Sequence, residues 1–183
     1  YQGGLNLASF TDRMVGAAKL NVGVYEEVEA DTGATGQALG VVLLSSVAGG
    51  IGSVGLGAGG LGGVVAGGIA ALTSWVFWAF LTYLIGTRLL PEPQTRADVG
   101  ELMRTLGFAQ SAGLARILGV IPVLGPIVLL VVSIWMLVAM VIAVRQALDY
   151  TSTSRAVGVC LVGWVLSLVI TFVFVVLFSA VGV

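Results

Sequence analysis

A run of glycines gives the chain its clearest match to a chemical motif. Gly49 to Gly63 reads GGIGSVGLGAGGLGG and contains G-x-G-x-x-G three times, beginning at Gly50, Gly55 and Gly57. In a dinucleotide-binding fold this pattern follows a strand and opens a helix, and an acidic residue stands about 20 residues further on. Here the next acid is Glu92, 35 residues past Gly57. We therefore expect no nucleotide at these glycines.

Residues for acid–base, nucleophilic or metal chemistry are scarce. The sequence has no histidine, which excludes imidazole bases, imidazole metal ligands and Ser-His-Asp or Cys-His arrangements. The one cysteine, Cys160, lies in an apolar run and leaves no disulfide framework or C-x-x-C metal site. No Gly-Lys-Ser or Gly-Lys-Thr follows the glycines, so there is no P-loop. We expect a protein that is not an enzyme, with no catalytic residue, no metal and no cofactor.

The composition indicates an all-α, polytopic membrane protein. Of the 183 residues, 58% are hydrophobic and only 9% are charged, whereas an ordinary soluble domain is about 25% charged. The mean hydropathy is +1.09. The eight Lys and Arg residues form no basic patch, so we expect no nucleic-acid partner.

Uncharged runs predict a bundle of five transmembrane helices. Residues 32–87 carry no charge, which is too long for one crossing of about 20 residues and suits two. The stretch 105–144, charged only at Arg116, is also too long for one helix, and Pro122 and Pro126 divide it. A re-entrant hairpin is the competing interpretation of its first half. The predicted helices are 37–56, 64–87, 105–121, 125–145 and 156–180.

Residues 1–36, ahead of the membrane domain 37–183, predict a short helical cytoplasmic segment. Ser9 or Thr11 suits a helix N-cap, and apolar residues follow at helical spacing at Phe10, Met14, Ala17 and Ala18. We expect this amphipathic helix to lie on the membrane surface. An acidic run follows at Glu26, Glu27, Glu29 and Asp31. It fits either a solvated face or a cation or docking site.

The cations predict the orientation. Five crossings place the N-terminal segment and the loops 88–104 and 145–155 on one side. These regions hold seven of the eight cations, namely Arg13, Lys19, Arg88, Arg96, Arg104, Arg145 and Arg155. By the positive-inside rule, the N-terminus lies in the cytoplasm and the C-terminus outside a cell (inner) membrane.

Arg116 is the one cation inside a predicted span. Because a charge in hydrocarbon is costly, such a residue raises a functional hypothesis. Arg116 also lies six residues before Pro122, close enough for its side chain to reach the outer interface. Both interpretations stay open: interfacial anchoring, or contact with a lipid headgroup or polar partner. The other candidate partner or lipid contacts are Arg88, Arg96 and Arg104.

The glycines also form a second pattern. Gly55, Gly59, Gly63 and Gly67 recur at every fourth residue. On a helix these positions form a stripe where a neighbouring backbone approaches closely, while some glycines must form the turn between the first two spans. We therefore predict that they serve a turn and a helix-packing face.

Two stretches together resemble a known family. They are TDRMVGAAKLNVGVYEEVEADTGATGQAL at 11–39 and ELMRTLGFAQSAGLARILGVIP at 101–122, the latter preceded by GTRLLPEPQTRADVG. They resemble the bacterial branch of the Yip-domain family, whose eukaryotic members are Rab-GTPase-interacting membrane proteins of the early secretory pathway. The family's Gly-Tyr-x-x-x-Pro element appears here as Gly-Phe-Ala-Gln-Ser-Ala at 107–112. The resemblance implies five spans, a cytoplasmic N-terminus and no catalysis.

Three functions remain in view. The leading one is a non-enzymatic membrane protein that acts by binding protein or lipid or by organising the bilayer. The alternative is an accessory subunit of a larger respiratory or photosynthetic complex, and the third is a small permease or channel. We expect the lipid bilayer and other membrane subunits, or further copies of the chain, as partners.

Overall fold

The chain is mostly helical in the part that the computed structural model describes, residues 9–54, 61–121 and 123–181, and no strand occurs there. The α-helices in these ranges are α1 (Phe10–Ala18), α2 (Val22–Ala30), α3 (Thr35–Val54), α4 (Leu61–Leu84), α5 (Val99–Ala109), α6 (Gly125–Ala147) and α7 (Thr153–Val181). Three segments with other helical geometry connect or extend these α-helices. They are the 3₁₀ turn Thr32–Ala34, the π-helical turn Ile85–Leu89 and the 3₁₀ segment Gln110–Val120.

Four helical stretches among the described residues are long and apolar enough to cross a membrane. They are Thr32–Ser53, Val65–Leu89, Gly125–Ala147 and Thr153–Leu177. Large apolar side chains cover their outer faces; Leu168 and Phe172 of α7 are 71% and 69% exposed. Hydrocarbon, rather than water, suits such a surface. The bounds of α3, α4, α6 and α7 lie within three residues of the predicted helices 37–56, 64–87, 125–145 and 156–180.

The predicted helix 105–121 differs from the structure. Helix α5 begins six residues earlier, at Val99, because Asp98 caps it. The Asp98 carboxylate accepts from the Glu101 amide at 2.8 Å, and the Glu101 carboxylate accepts from the Asp98 amide at 2.8 Å. This reciprocal pair is a capping box. After Ala109 the backbone changes to 3₁₀ geometry, so the predicted single helix is two segments.

The 3₁₀ segment lies between α3 and α6. A Cβ added at Gly107 would lie 2.7 Å from the Cβ of Ala38, and one added at Gly113 would overlap Oγ of Ser45. Helix α5 and the 3₁₀ segment therefore run parallel to α3. A Cβ at Gly119 would lie 3.0 Å from Leu129 near the start of α6, so the segment runs antiparallel to α6.

The N-terminal helices pack on the bundle. Ser9 caps α1 in a capping box with Asp12, whose amide donates to Ser9 Oγ at 3.2 Å. Ala17 is fully buried, and its carbonyl accepts from the hydroxyl of the fully buried Tyr25 at 3.0 Å. The inner face of α1 thus contacts protein. Three of the four acids of the acidic run lie on helix α2, whose N-cap is Asn21.

Ion pairs tie α1 to α2 and to the start of α3. Arg13 is 1% exposed, and its guanidinium contacts the carboxylates of Glu27 at 2.9 Å and Asp31 at 2.8 Å. It also donates to the side chain of Gln37 at 3.0 Å. The hydrogen bond from Arg13 lowers the pKa of Asp31. Two acids of the acidic run, Glu27 and Asp31, therefore neutralise the buried Arg13 within the protein.

The loops at the same end of the bundle are tied to each other. The Tyr150 hydroxyl lies 3.1 Å from the carbonyl oxygen of Gly86 and 2.7 Å from that of Leu90. The Glu92 carboxylate accepts from the amide and hydroxyl of Thr151 at 3.0 and 2.9 Å. Helices α1 and α2, together with the loops that contain Glu92 and Thr151, form a polar layer at one end of the bundle. We call this layer the charged cap.

Candidate ligand site between the membrane helices

A cavity of about 710 Å³ lies among the long helices and the 3₁₀ segment. Small-molecule sites in proteins have volumes of about 300–1,000 Å³. Its polar lining residues are Ser45, Ser46, Ser74, Gln110, Arg116, Ser133, Ser167 and Thr171. Its aromatic and thioether lining residues are Trp75, Phe77, Trp78, Trp164, Met136 and Met140. Polar and apolar groups therefore share one cavity within the bundle.

The mouth of the cavity opens on the apolar outer surface. Phe77, Leu137 and Trp164 line the cavity and are each between 38% and 44% exposed. They belong to α4, α6 and α7, whose outer faces are apolar. An apolar molecule could thus enter from the side, between these helices, without crossing the charged cap.

Two polar atoms in the cavity wall have no hydrogen-bond partner among the described residues. They are Oγ of Ser46 and Nε1 of Trp78, and both are buried. By contrast, Nε1 of Trp75 donates to the carbonyl of Met103 at 2.9 Å. Because most buried polar atoms in proteins are hydrogen-bonded, the unpaired Ser46 hydroxyl and the unpaired Trp78 indole N–H both suit contact with a ligand.

Arg116 brings a positive charge to this cavity. Its Cδ and Nη1 atoms lie 3.6 and 3.7 Å from the position that a Cβ on Gly49 would occupy. Within the described part of the chain, no ion pair or hydrogen bond is made by its guanidinium. All nine acidic residues lie in the charged cap or in the segments next to it: Asp12, Glu26, Glu27, Glu29, Asp31, Glu92, Asp98, Glu101 and Asp149. No acid of this chain is thus placed to neutralise Arg116.

The glycines explain how Arg116 is held. A Cβ on Gly52 would overlap the main-chain carbonyl oxygen of Arg116. Only glycine at position 52 lets the 3₁₀ segment lie on α3 at this depth. Gly52 belongs to the first G-x-G-x-x-G match, so one glycine of that motif serves close backbone packing rather than phosphate binding.

The predicted glycine stripe needs correction. Gly55 and Gly59 lie outside the described residues, and Gly63 lies in α4. Gly67 is exposed, and a Cβ added there would meet no atom within 4 Å, so Gly67 makes no close helix contact. Gly67 and its neighbour Gly68 point in different directions around the axis of α4. The face of α4 that approaches α3 contains Gly68, where a Cβ would lie 3.7 Å from Ser46 Oγ.

The other predicted arginine contacts fall in different places. Arg88 and Arg96 are exposed on the charged cap and remain candidates for a partner or a headgroup. Arg104 is only 6% exposed and donates to the main-chain carbonyls of Val28 and Glu29. The prediction of Arg104 as a partner or lipid contact is therefore wrong. The C-terminal carbonyls of α2 lack helical partners, and a buried guanidinium satisfies them.

A second pocket, of about 630 Å³, lies in the charged cap. Its charged lining residues are Glu26, Glu29, Glu101, Arg145 and Asp149. Burial, followed by the charges of Asp149, Glu101 and Glu26, raises the pKa of Glu29 to about 7. No group of three or more His, Cys, Asp or Glu residues with the arrangement of a metal site occurs in the part that the structure describes.

No protein-family model, curated protein or solved structure matches this chain. The geometry of the cavity and of the charged cap thus carries the functional conclusion. Sequence reasoning identified Arg116 from its position in an apolar stretch. It missed the cavity, because the lining residues come from six segments, namely α3, α4, α5, the 3₁₀ segment, α6 and α7, spread over 130 residues of sequence from Val42 to Thr171.

Proposed function

We propose that this chain is a non-enzymatic, Yip-like integral membrane protein that acts by binding a lipid-like molecule from the bilayer. The observation that carries this function is the cavity at Arg116. It is large enough for a ligand, opens towards lipid, and contains a cation and two polar atoms that have no partner among the described residues. The absence of histidine and the position of every acid outside the cavity support binding rather than catalysis.

The binding function has a topology that we also propose. The chain crosses the membrane five times, with the charged cap in the cytoplasm and the C-terminus outside. The direction of the 3₁₀ segment, parallel to α3, supports a crossing by residues 99–120. Eleven α-helical residues and eleven 3₁₀ residues laid end to end span roughly 38 Å. Hydrocarbon is about 30 Å thick.

Cation distribution supports the same topology. Seven of the eight cations belong to the charged cap or its loops, and Arg116 alone lies towards the other end. The positive-inside rule assigns the cation-rich end to the cytoplasm. A reporter that is active only in the cytoplasm, fused after Val183, should be silent. The same reporter placed in the loop 90–98 should be active, and an active C-terminal fusion would rule out five crossings.

The binding function is tested by native mass spectrometry of protein purified in mild detergent. We expect lipid-mass adducts that survive delipidation. The variant Ala71→Phe places a ring in the cavity wall and should lose them. Ala70→Phe, one residue earlier on α4 and exposed, is the matched control and should retain them. Equal lipid occupancy in both variants would show that bound lipid lies elsewhere.

A further inference from the structure

The polarity of the cavity changes along its length. Helix order places Val42, Leu106 and Met140 towards the charged cap, and Arg116, Ser133 and Thr171 towards the opposite end. The end nearer the charged cap is therefore mostly apolar, and the far end carries the cation and two hydroxyls. A ligand that matches both ends has an apolar chain and a polar headgroup.

The headgroup must also match charge. Arg116 is partly buried, and no acid of this chain is placed to pair with it. A cation without a counter-charge in an apolar setting is costly, and an anion that hydrogen-bonds to it removes that cost. A guanidinium presents paired N–H donors in a plane, which fits the two oxygens of a phosphate or a carboxylate.

The size and position of the cavity suit a flexible apolar chain. Its volume of about 710 Å³ lies within the range of small-molecule sites. The mouth between Phe77, Leu137 and Trp164 gives such a chain a path from the bilayer.

We propose that the cavity binds an amphiphile with an anionic headgroup, a phosphate or a carboxylate, which pairs with Arg116 while its apolar chain extends past Trp78 towards the charged cap. This inference rests on the proposed lipid-binding function and specifies the ligand. Ser46 Oγ can donate a hydrogen bond to the anion or another polar group of the ligand. Trp78 Nε1 is a second donor along the same wall.

Tryptophan fluorescence can report on this site. Three of the four tryptophans, Trp75, Trp78 and Trp164, line the cavity. The fourth, Trp135, is 42% exposed and does not line it. The variant Trp135→Phe thus removes the tryptophan that does not line the cavity. Bromine on an acyl chain quenches a tryptophan that it contacts, so brominated amphiphiles can be titrated into the delipidated protein in detergent.

The titration compares headgroups on the same brominated chain. The arms are a phosphatidate, a fatty acid at pH 8, a phosphatidylcholine and a fatty alcohol. We expect at least one anionic amphiphile to reach half-maximal quenching at about tenfold lower concentration than the zwitterionic and neutral ones. The better of the phosphate and carboxylate arms identifies the headgroup. Millimolar inorganic phosphate should not displace the amphiphile, and displacement would indicate that a free anion is the ligand.

Substitution of the cation completes the test. In the Trp135→Phe background, Arg116→Gln should abolish the tenfold preference, while Arg116→Lys should retain part of it. If Arg116→Gln does not fold, the proposal is tested by two other results. They are the headgroup preference of Arg116→Lys and the headgroup comparison in the protein that keeps Arg116. Equal quenching by all four amphiphiles would overturn the anionic headgroup but leave the lipid-binding function standing. If no amphiphile quenches the fluorescence more strongly than it does in Ala71→Phe, both the anionic headgroup and the lipid-binding function would be overturned.

Discussion

The guanidinium of Arg104 donates to the main-chain carbonyl of Glu29 and makes no ion pair with the carboxylate of the same residue. The distance from Nε to the carbonyl oxygen is 3.0 Å, and Nη2 contacts the same oxygen. This contact has two structural consequences. The arginine fastens the end of α2 to α5, and the Glu29 carboxylate remains in the pocket with three other carboxylates.

Arg104→Ala should destabilise the protein. The substitution removes charge-assisted hydrogen bonds that are worth about 1.5–3 kcal/mol each and leaves the last carbonyls of α2 unpaired in a buried place. We expect a loss of about 2–4 kcal/mol in the free energy of unfolding, measured by thermal unfolding in detergent. Arg96→Ala is the control, because Arg96 is an exposed arginine of the same cap. A loss as large from Arg96→Ala would contradict this role of Arg104.

Glu29 should make stability depend on pH between about 4.5 and 7. Burial and then the charges of Asp149, Glu101 and Glu26 raise its folded-state pKa to about 7, while Arg104 opposes the shift. Arg145 and Tyr150 also face this pocket. As pH rises from 4.5 to 7, the unfolded chain loses the proton while the folded protein keeps it. Stability therefore falls over that interval and is level above it.

The variants that test this pH dependence keep the shape of the pocket. Glu29→Gln should flatten the fall in thermal midpoint between pH 5 and 7 and raise the midpoint at pH 8. Asp149→Asn should lower the pKa of Glu29 and narrow the interval. Asp149 has φ of 53°, a conformation that asparagine tolerates. A pH profile unchanged in Glu29→Gln would mean that another group titrates.

Glu92 should hold the two cap loops together through Thr151 rather than through Arg155. The hydrogen bonds from Thr151, chiefly from its amide, lower the pKa of Glu92. Arg155 is 49% exposed and lies 3.4 Å from the carboxylate, and such exposed pairs contribute little. We expect faster hydrogen exchange at residues 149–152 in Glu92→Ala. Arg155→Ala should change the exchange less, and an equal effect would reverse this assignment.

The sequence predicts the membrane helices well for a physical reason. Bilayer thickness fixes how long an apolar stretch must be, and charges are excluded from it. The gap between Asp31 and Arg88 and the prolines near 122–126 therefore give the ends of α3, α4 and α6 directly. Local chemistry likewise predicts Ser9 or Thr11 as the cap of α1, because a helix terminus needs a side-chain acceptor within three residues, and Ser9 is the cap in the structure.

Contacts between distant segments could not be predicted in the same way. The approach of the 3₁₀ segment to α3 joins Gly52 to Arg116, and the tie between α2 and α5 joins Glu29 to Arg104. Neither pair has a periodic signal in the sequence. The capping box at Asp98 and Glu101 was visible, since the spacing is that of a helix start. The uncharged run begins only at Thr105, so a prediction from that run alone places the helix start six residues too late.

Glycine positions in the bundle should differ sharply in their tolerance of a methyl group. A Cβ at Gly52 would overlap the carbonyl oxygen of Arg116, and backbone cannot rotate away as a side chain can. A Cβ at Gly67 would meet open space, and alanine is a better helix former than glycine by about 0.5–1 kcal/mol. Gly52→Ala should therefore lower the thermal midpoint, and Gly67→Ala should leave it equal or raise it.

The same pair of variants separates packing from ligand binding. In Gly52→Ala, displacement of the 3₁₀ segment moves Arg116 away from its position beside Gly49, so the preference for anionic amphiphiles should fall along with stability. In Gly67→Ala, the headgroup preference should match that of the unsubstituted protein, and stability should be equal or higher. Gly113→Ala, whose Cβ would overlap the movable hydroxyl of Ser45, should cost less stability than Gly52→Ala. A Gly52→Ala protein with full stability and unchanged headgroup preference would show that the backbone of α3 does not position Arg116.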